Sequence, residues 1–190
     1  MLQDLLNQFQ LIIDTSIANF HFTLTIIGIL VGVQAINKIM HNRLVCFGIL
    51  PRTSIGIPGI FLSPFVHGDF AHLFLNILPL FILMNLVLVF GHDQFFLITS
   101  FVIVVGNFLV WLLGRKALHI GASGVVFGYW GYLLMNAYTN FSALTIILAV
   151  ICLYYFGSMF VGLFPVDKKT SWEAHLFGAI AGILASYLNL

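Results

Sequence analysis

The chain has 190 residues, 61% of them hydrophobic and 7% charged, with a formal net charge of +1 and a mean hydropathy of +1.10. Soluble domains carry about 25% charged residues, so this chain cannot cover a water-facing surface, and lipid must cover much of it. The charge balance argues against nucleic acid as a partner, and Cys46 and Cys152, far apart and without metal-ligand spacing, argue against a disulfide framework.

No signal peptide is expected, because the N-terminus lacks a charged region ahead of an apolar core. Apolar residues first recur at Leu2, Leu5, Leu6, Phe9, Ile12 and Ile13. That helical spacing predicts an amphipathic helix over residues 1–19, lying in the membrane interface. Spanning helices need about 20 mostly apolar residues. Six segments qualify in chain order: Phe20 to Ile36, Phe70 to Phe90, Phe95 to Leu113, Ser123 to Tyr138, Ala143 to Phe164, and His175 to Leu190. No internal repeat or linker divides them, so residues 20–190 read as one membrane domain. Between the first and second segments, His41 to Asp69 is apolar but broken by Pro51, Pro58 and Pro64. Proline removes a donor and clashes with the preceding turn, so this stretch is expected to be a loop half-sunk in the interface and packed against protein.

The fourth and sixth segments are short. At 1.5 Å per residue, about 16 residues reach roughly 24 Å, against a hydrocarbon core of about 30 Å. Both run in the same direction, so their leading residues, Ser123 and His175, are expected below the surface on the same side of the membrane.

Ser123 stands in Gly121-Ala122-Ser123-Gly124, with Gly128 and Gly131 following. Small residues in membrane helices often serve close packing, which is one reading of this run. His175 alone reads equally as an interfacial polar residue. Taken together, the two say more. Gly178 and Gly182 lie four apart on one helix face and match the glycines after Ser123. Close approach of these helices brings the serine hydroxyl within reach of the histidine ring, the geometry of an activated nucleophile. His72 and Asn76 share a face near the start of the second segment. They either donate hydrogen bonds to a developing oxyanion, beside the Ser123 N–H at its helix N-terminus, or bond to each other or to the proline-rich loop. Metal chemistry is disfavoured: HExxH is absent, and Glu173, two residues before His175, should point elsewhere. No two acids lie within the spans, which disfavours an aspartyl mechanism and a full Ser-His-Asp triad. A Ser–His dyad remains.

In combination these motifs resemble the rhomboid family of intramembrane serine proteases. The matching residues are Gly121-Ala122-Ser123-Gly124 with Gly128, His175-Leu176-Phe177-Gly178 with Gly182, and His67, His72 and Asn76. The resemblance runs from about Pro51 to the C-terminus. It implies an all-α membrane protein, a six-transmembrane-helix rhomboid-like bundle with an interfacial first loop, expected in a bacterial inner membrane. It further implies Ser123 as nucleophile and His175 as general base. His72, Asn76 and the Ser123 N–H would form the oxyanion hole, with Gly121 and Ala122 assigned to oxyanion and substrate binding. Substrates would be transmembrane proteins cut in or near their spans, water would enter near His67 and His72, and no cofactor is expected.

Three features depart from the family pattern. A tyrosine often stacks on the base, where this chain has Phe127. The Trp-Arg pair frequent in the first loop is missing; the tryptophans are Trp111, Trp130 and Trp172. Lys38, Arg43, Arg52, Arg115, Lys116, Lys168 and Lys169 all flank loops one, three and five, which by the positive-inside rule places those loops in the cytoplasm, whereas well-studied bacterial relatives face them outward. Two rival functions stand beside the protease: an inactive rhomboid-like protein that binds or escorts membrane clients, and a channel, which would predict ionisable residues or broken helices at mid-membrane.

Overall fold

The computed structural model describes residues 2–165 and 171–188. Those residues are helical apart from loops and one isolated antiparallel bridge between Ile49 and His119. Helix α1 (Leu2–Ala18) runs almost directly into α2 (Phe20–Ile39). Then follow α3 (Phe70–Leu88), α4 (His92–Leu113), α5 (Ser123–Thr139), α6 (Ala143–Phe156) and α7 (Trp172–Tyr187). Helices α2, α3 and α4 and the stretch Ala143–Leu163 are long and apolar enough to cross a membrane. The shorter α5 and α7, with 17 and 16 residues, complete the six-helix bundle.

The expected boundaries hold with local differences. Helix α2 continues to Ile39, α3 stops at Leu88, and α4 begins at His92. The fifth segment tightens into a 3₁₀ turn over Gly157–Leu163. The sixth begins at Trp172, so His175 lies nearly one turn inside α7 rather than opening it. The Ser171 carbonyl is responsible: it accepts the N–H groups of Ala174 (3.0 Å) and His175 (3.3 Å) and closes the helical turn early. The final residues of that segment, Asn189 and Leu190, and two of the charges used for orientation, Lys168 and Lys169, lie outside the described residues.

Helix α4 carries a π-helical stretch at Val102–Gly106 that the apolar run did not reveal. It brings Gly106 against α7: a Cβ there would sit 3.4 Å from the Gly178 Cα. Helices α5 and α7 form the most extensive helix pair among the described residues. A Cβ on Gly178 would fall on the Gly124 carbonyl oxygen, and one on Gly182 on the Gly128 carbonyl oxygen. Both contacts advance by four residues, so the two helices run parallel and in step, with backbone against backbone. Side-chain ties reinforce the rest. Asn85 Nδ2 donates to Thr23 Oγ1 (3.4 Å), joining α3 to α2, and Thr99 Oγ1 lies 2.7 Å from the Tyr129 hydroxyl, joining α4 to α5.

The first loop is a chain of short turns, Arg43–Phe47, Ser54–Gly56, Gly59–Leu62 and Ser63–Phe65. Polar side chains reach into it from the helices. Asn37 Nδ2 donates to the His67 carbonyl (3.1 Å), Asn107 Nδ2 to the Ile60 carbonyl (2.8 Å), and Trp111 Nε1 to the Thr53 carbonyl (2.9 Å). In the other direction Arg52 Nη1 donates to the carbonyls of Leu112 (3.0 Å) and Gly114 (2.9 Å). The Trp-Arg pair missing from the loop sequence thus has a tertiary counterpart, with the tryptophan supplied by α4. Each bond satisfies a backbone group that lipid could not satisfy.

Candidate active site

Ser123 is the first residue of α5, and the segment before it is held on both sides. Gly121 has φ +108°, a left-handed conformation that favours glycine, and its N–H donates to the Ser63 carbonyl (2.9 Å). A Cβ on Gly121 would meet the His72 ring at 2.8 Å, so glycine also makes room for that imidazole. The Ala122 N–H donates to His67 Nε2 (3.2 Å). The N–H groups of Gly121 and Ala122 are therefore engaged within the protein. The Ser123 N–H has no acceptor among the described residues and stands at a helix N-terminus, where the dipole favours negative charge.

His175 is fixed from two directions. Its ring stacks on Phe127, with centroids 4.2 Å apart and planes 6° apart. Phe127 is four residues after Ser123 on the same helix face, so the stack carries the imidazole over the turn that begins at Ser123. His175 Nδ1 lies 2.9 Å from the Gly162 carbonyl oxygen. A carbonyl only accepts, so Nδ1 carries the proton and Nε2 is left as the basic nitrogen. The structure records no hydrogen bond between Ser123 Oγ and His175. Such bonds are often long in the absence of substrate and tighten in its presence.

His72 and Asn76 lie near the start of α3, whose cap is Asp69 accepting the His72 N–H (2.7 Å). Asn76 is buried, and its Nδ2 donates to the His72 carbonyl at 2.9 Å. The internal bond weighed as an alternative is therefore present, and it uses one of the two amide hydrogens. His67 is wholly buried, packed edge-on to His72 at 5.1 Å between ring centroids. Burial, then the neighbouring His72, pull its pKa down to about 4. His67 braces the Ala122 backbone and does not line an open water path. Glu173 is turned to Arg115: its Oε1 pairs with Arg115 Nε at 3.3 Å. Arg52 and Arg115 thus both serve as internal anchors, which weakens the use of loop charges as an orientation signal.

Three neighbours of the site carried no signal in the sequence. Gly162 contributes a carbonyl, which any residue has. His119 and Ser171 are joined by a hydrogen bond between His119 Nδ1 and the Ser171 hydroxyl, across 52 positions of chain. A serine just before a helix reads as a cap, and nothing in its neighbourhood points to a distant histidine.

Comparison with known proteins identifies the family. The family profile described as the rhomboid domain matches residues 57–190. Uncharacterised proteins of Mycobacterium bovis and Mycobacterium tuberculosis are each 32% identical over 174 residues, covering 87% of this chain and 72% of theirs. One from Mycobacterium leprae is 32% identical over 175 residues, covering 87% of this chain and 69% of its own.

Proposed function

The chain belongs to the rhomboid family and is an integral membrane protein; from that premise we propose that it is an intramembrane serine endopeptidase. It would hydrolyse peptide bonds in or near the transmembrane segments of other membrane proteins. The observation that carries this reading is the arrangement of His175, stacked on Phe127 one turn from Ser123 and oriented through Nδ1 by the Gly162 carbonyl. In a three-residue catalytic system a carboxylate holds the tautomer. Here a backbone carbonyl does so, and no buried acid is required.

Ser123 Oγ attacks the scissile carbonyl carbon as its proton passes to His175 Nε2. His175 then protonates the leaving amine, and the C–N bond breaks to give an acyl-enzyme. Water adds to the ester by the same route and releases the acid. The negative oxygen of each tetrahedral intermediate would be met by the Ser123 N–H, the second Asn76 amide hydrogen and His72. Gly121 supports this hole by yielding space to the His72 ring. The mycobacterial relatives support an inner membrane as the location. The exposed apolar residues Leu2, Leu6, Phe9, Ile13 and Ile17 on α1 support an interfacial N-terminal helix.

The test is labelling of purified protein in detergent with a fluorophosphonate-rhodamine probe, beside cleavage of a fluorescent single-span peptide. Both signals are expected in the wild type and lost in Ser123→Ala and in His175→Ala. The double variant should be no worse than either single one, because residues acting as one unit are strongly non-additive. Binding of single-span clients without labelling or cleavage would favour the inactive, client-binding alternative.

A further inference from the structure

His119 lies four residues before Ser123, and Ser171 four residues before His175. The bond between their side chains joins the two chain segments that lead into the proposed nucleophile and base. Each end of the bond is anchored. The His119 backbone is paired on both sides with Ile49, N–H to carbonyl at 2.9 Å and carbonyl to N–H at 2.8 Å. Its Nε2 lies 3.1 Å from the Arg115 carbonyl, which can only accept. Nε2 therefore carries the ring proton, and Nδ1 accepts from the Ser171 hydroxyl. Burial holds the His119 pKa below its ordinary value, in keeping with this neutral form.

Ser171 stands immediately before α7, where a serine normally turns its hydroxyl onto the helix's own free N–H groups. Here it makes no such cap. The hydroxyl goes to His119, while the Ser171 carbonyl accepts the His175 N–H at 3.3 Å. A continuous path of hydrogen bonds thus runs from the loop before Ser123 to the backbone of His175. A second tie runs beside it: buried Glu173 accepts from Arg115 Nε at 3.3 Å and from the Arg115 N–H at 3.4 Å.

We propose that His119 and Ser171 are positioning residues, a clamp whose hydrogen bond sets the relative height of Ser123 and His175; this rests on the reading of those two residues as a catalytic dyad. The glycine seam fixes how closely α5 and α7 approach. Their height at the end where chemistry would occur is held by two polar links, the Arg115–Glu173 pair and the clamp, and the clamp is the one that runs directly between the segments leading into Ser123 and His175. Misplacement by about 1 Å can lower a rate roughly 10²-fold.

Ser171→Ala deletes the donor with almost no change in shape, and Ser171→Thr keeps a hydroxyl. We expect kcat for the single-span peptide to fall about 10- to 100-fold in Ser171→Ala with KM unchanged. Fluorophosphonate labelling should slow in parallel, and Ser171→Thr should recover most of the rate. His119→Phe should match Ser171→Ala, with the double variant no worse than either. A second measurement does not require proteolysis. In a Cys46→Ser background, the thiol introduced by Ser123→Cys is alkylated with iodoacetamide across pH. Proximity of His175 should stabilise the thiolate, and Ser171→Ala should weaken that effect. A wild type that neither labels nor cleaves would refute the protease reading, while the thiol profile still tests the clamp. The clamp is refuted if Ser171→Ala leaves both kcat and the thiol profile unchanged. It is also refuted if the loss appears in KM, or if Ser171→Thr fails to restore what Ser171→Ala removes.

Discussion

The α5–α7 seam and the first loop both hold the proposed site in shape, by opposite means. The seam is tight because side chains are missing: Gly124, Gly131, Gly178 and Gly182 let one backbone lie on the other. The loop is tight because side chains are present: Asn37, Arg52, Asn107 and Trp111 each close a bond to a distant backbone carbonyl. A seam of this kind tolerates no added volume, whereas a loop so held loses one bond at a time. Variants in the two regions should therefore fail differently, the seam abruptly and the loop by degrees.

The largest effect is expected from Gly178→Val. Its Cβ has no space, because the Gly124 carbonyl oxygen occupies that position and backbone cannot swing aside as a side chain can. Overpacking in a rigid core costs about 1–3 kcal/mol or more, and here the helices must also part. Fluorophosphonate labelling should fall at least about 100-fold, with a lower Tm in detergent on the same preparation. A Gly178→Val protein that labels and melts like the wild type would show that the two backbones are not in contact.

Next in size is an acid effect at the junction of the two regions. His67 is held in the neutral form, with a pKa near 4, while in an unfolded chain it returns to about 6.5. Between those values the unfolded state binds the extra proton, so stability is complete above pH 6.5 and declines as pH falls toward 4. The loss from this residue is at most roughly 3 kcal/mol. His67→Gln keeps an acceptor for the Ala122 N–H and has no proton to gain. Its Tm should match the wild type at pH 7.5 and fall less between pH 6.5 and 4. Parallel melting curves over that window would assign the acid sensitivity elsewhere.

Trp111→Phe removes one of the loop's bonds and leaves the Thr53 carbonyl without its indole donor. A lost neutral hydrogen bond costs about 1 kcal/mol, or about fivefold in a local opening equilibrium. Limited proteolysis within residues 42–69 should accelerate by about that factor. Labelling should change much less, because the other ties remain. A loss of labelling as deep as that of Gly178→Val would erase the distinction between seam and loop.

The same contrast explains what could be read from the sequence. The seam was legible because its cause is local and periodic. Glycines four apart on two helices need no knowledge of the fold to be paired, whereas the stacking role of Phe127 came from the family resemblance. The six-helix plan was legible from apolar run lengths. The loop's architecture was not, since the partners of Arg52 and Asn107 lie 60 and 47 positions away and are backbone carbonyls. The start of α7 was missed for a related reason: the charged Glu173 interrupts the apolar run, yet the Ser171 carbonyl, accepting from Ala174 and His175, brings the turn around it into the helix. The π stretch in α4 ends at Gly106, which fits against α7, a contact that exists only in the folded bundle. The His119–Ser171 bond joins residues that no local pattern relates.

The smallest prediction tests whether glycine itself, or its position, makes the seam. Gly28 and Gly32 lie in α2, four apart like Gly178 and Gly182, and by spacing alone they form an equally good packing motif. A Cβ at either one meets nothing within 4 Å. Their spacing is matched by no facing backbone, and glycine there carries only its helix-propensity penalty. Alanine should remove that penalty, worth about 0.5–1 kcal/mol per site in an exposed helix interior. Gly28→Ala and Gly32→Ala should therefore raise Tm slightly and leave fluorophosphonate labelling unchanged. Gly124→Ala is the matched comparison, because its Cβ would lie 3.3 Å from the Ala174 carbonyl oxygen, tighter than ordinary contact. It should lower Tm while the α2 pair raise it. Lowered Tm in Gly28→Ala would mean that α2 has a close neighbour outside the bundle described here, and that glycine spacing alone had correctly announced it.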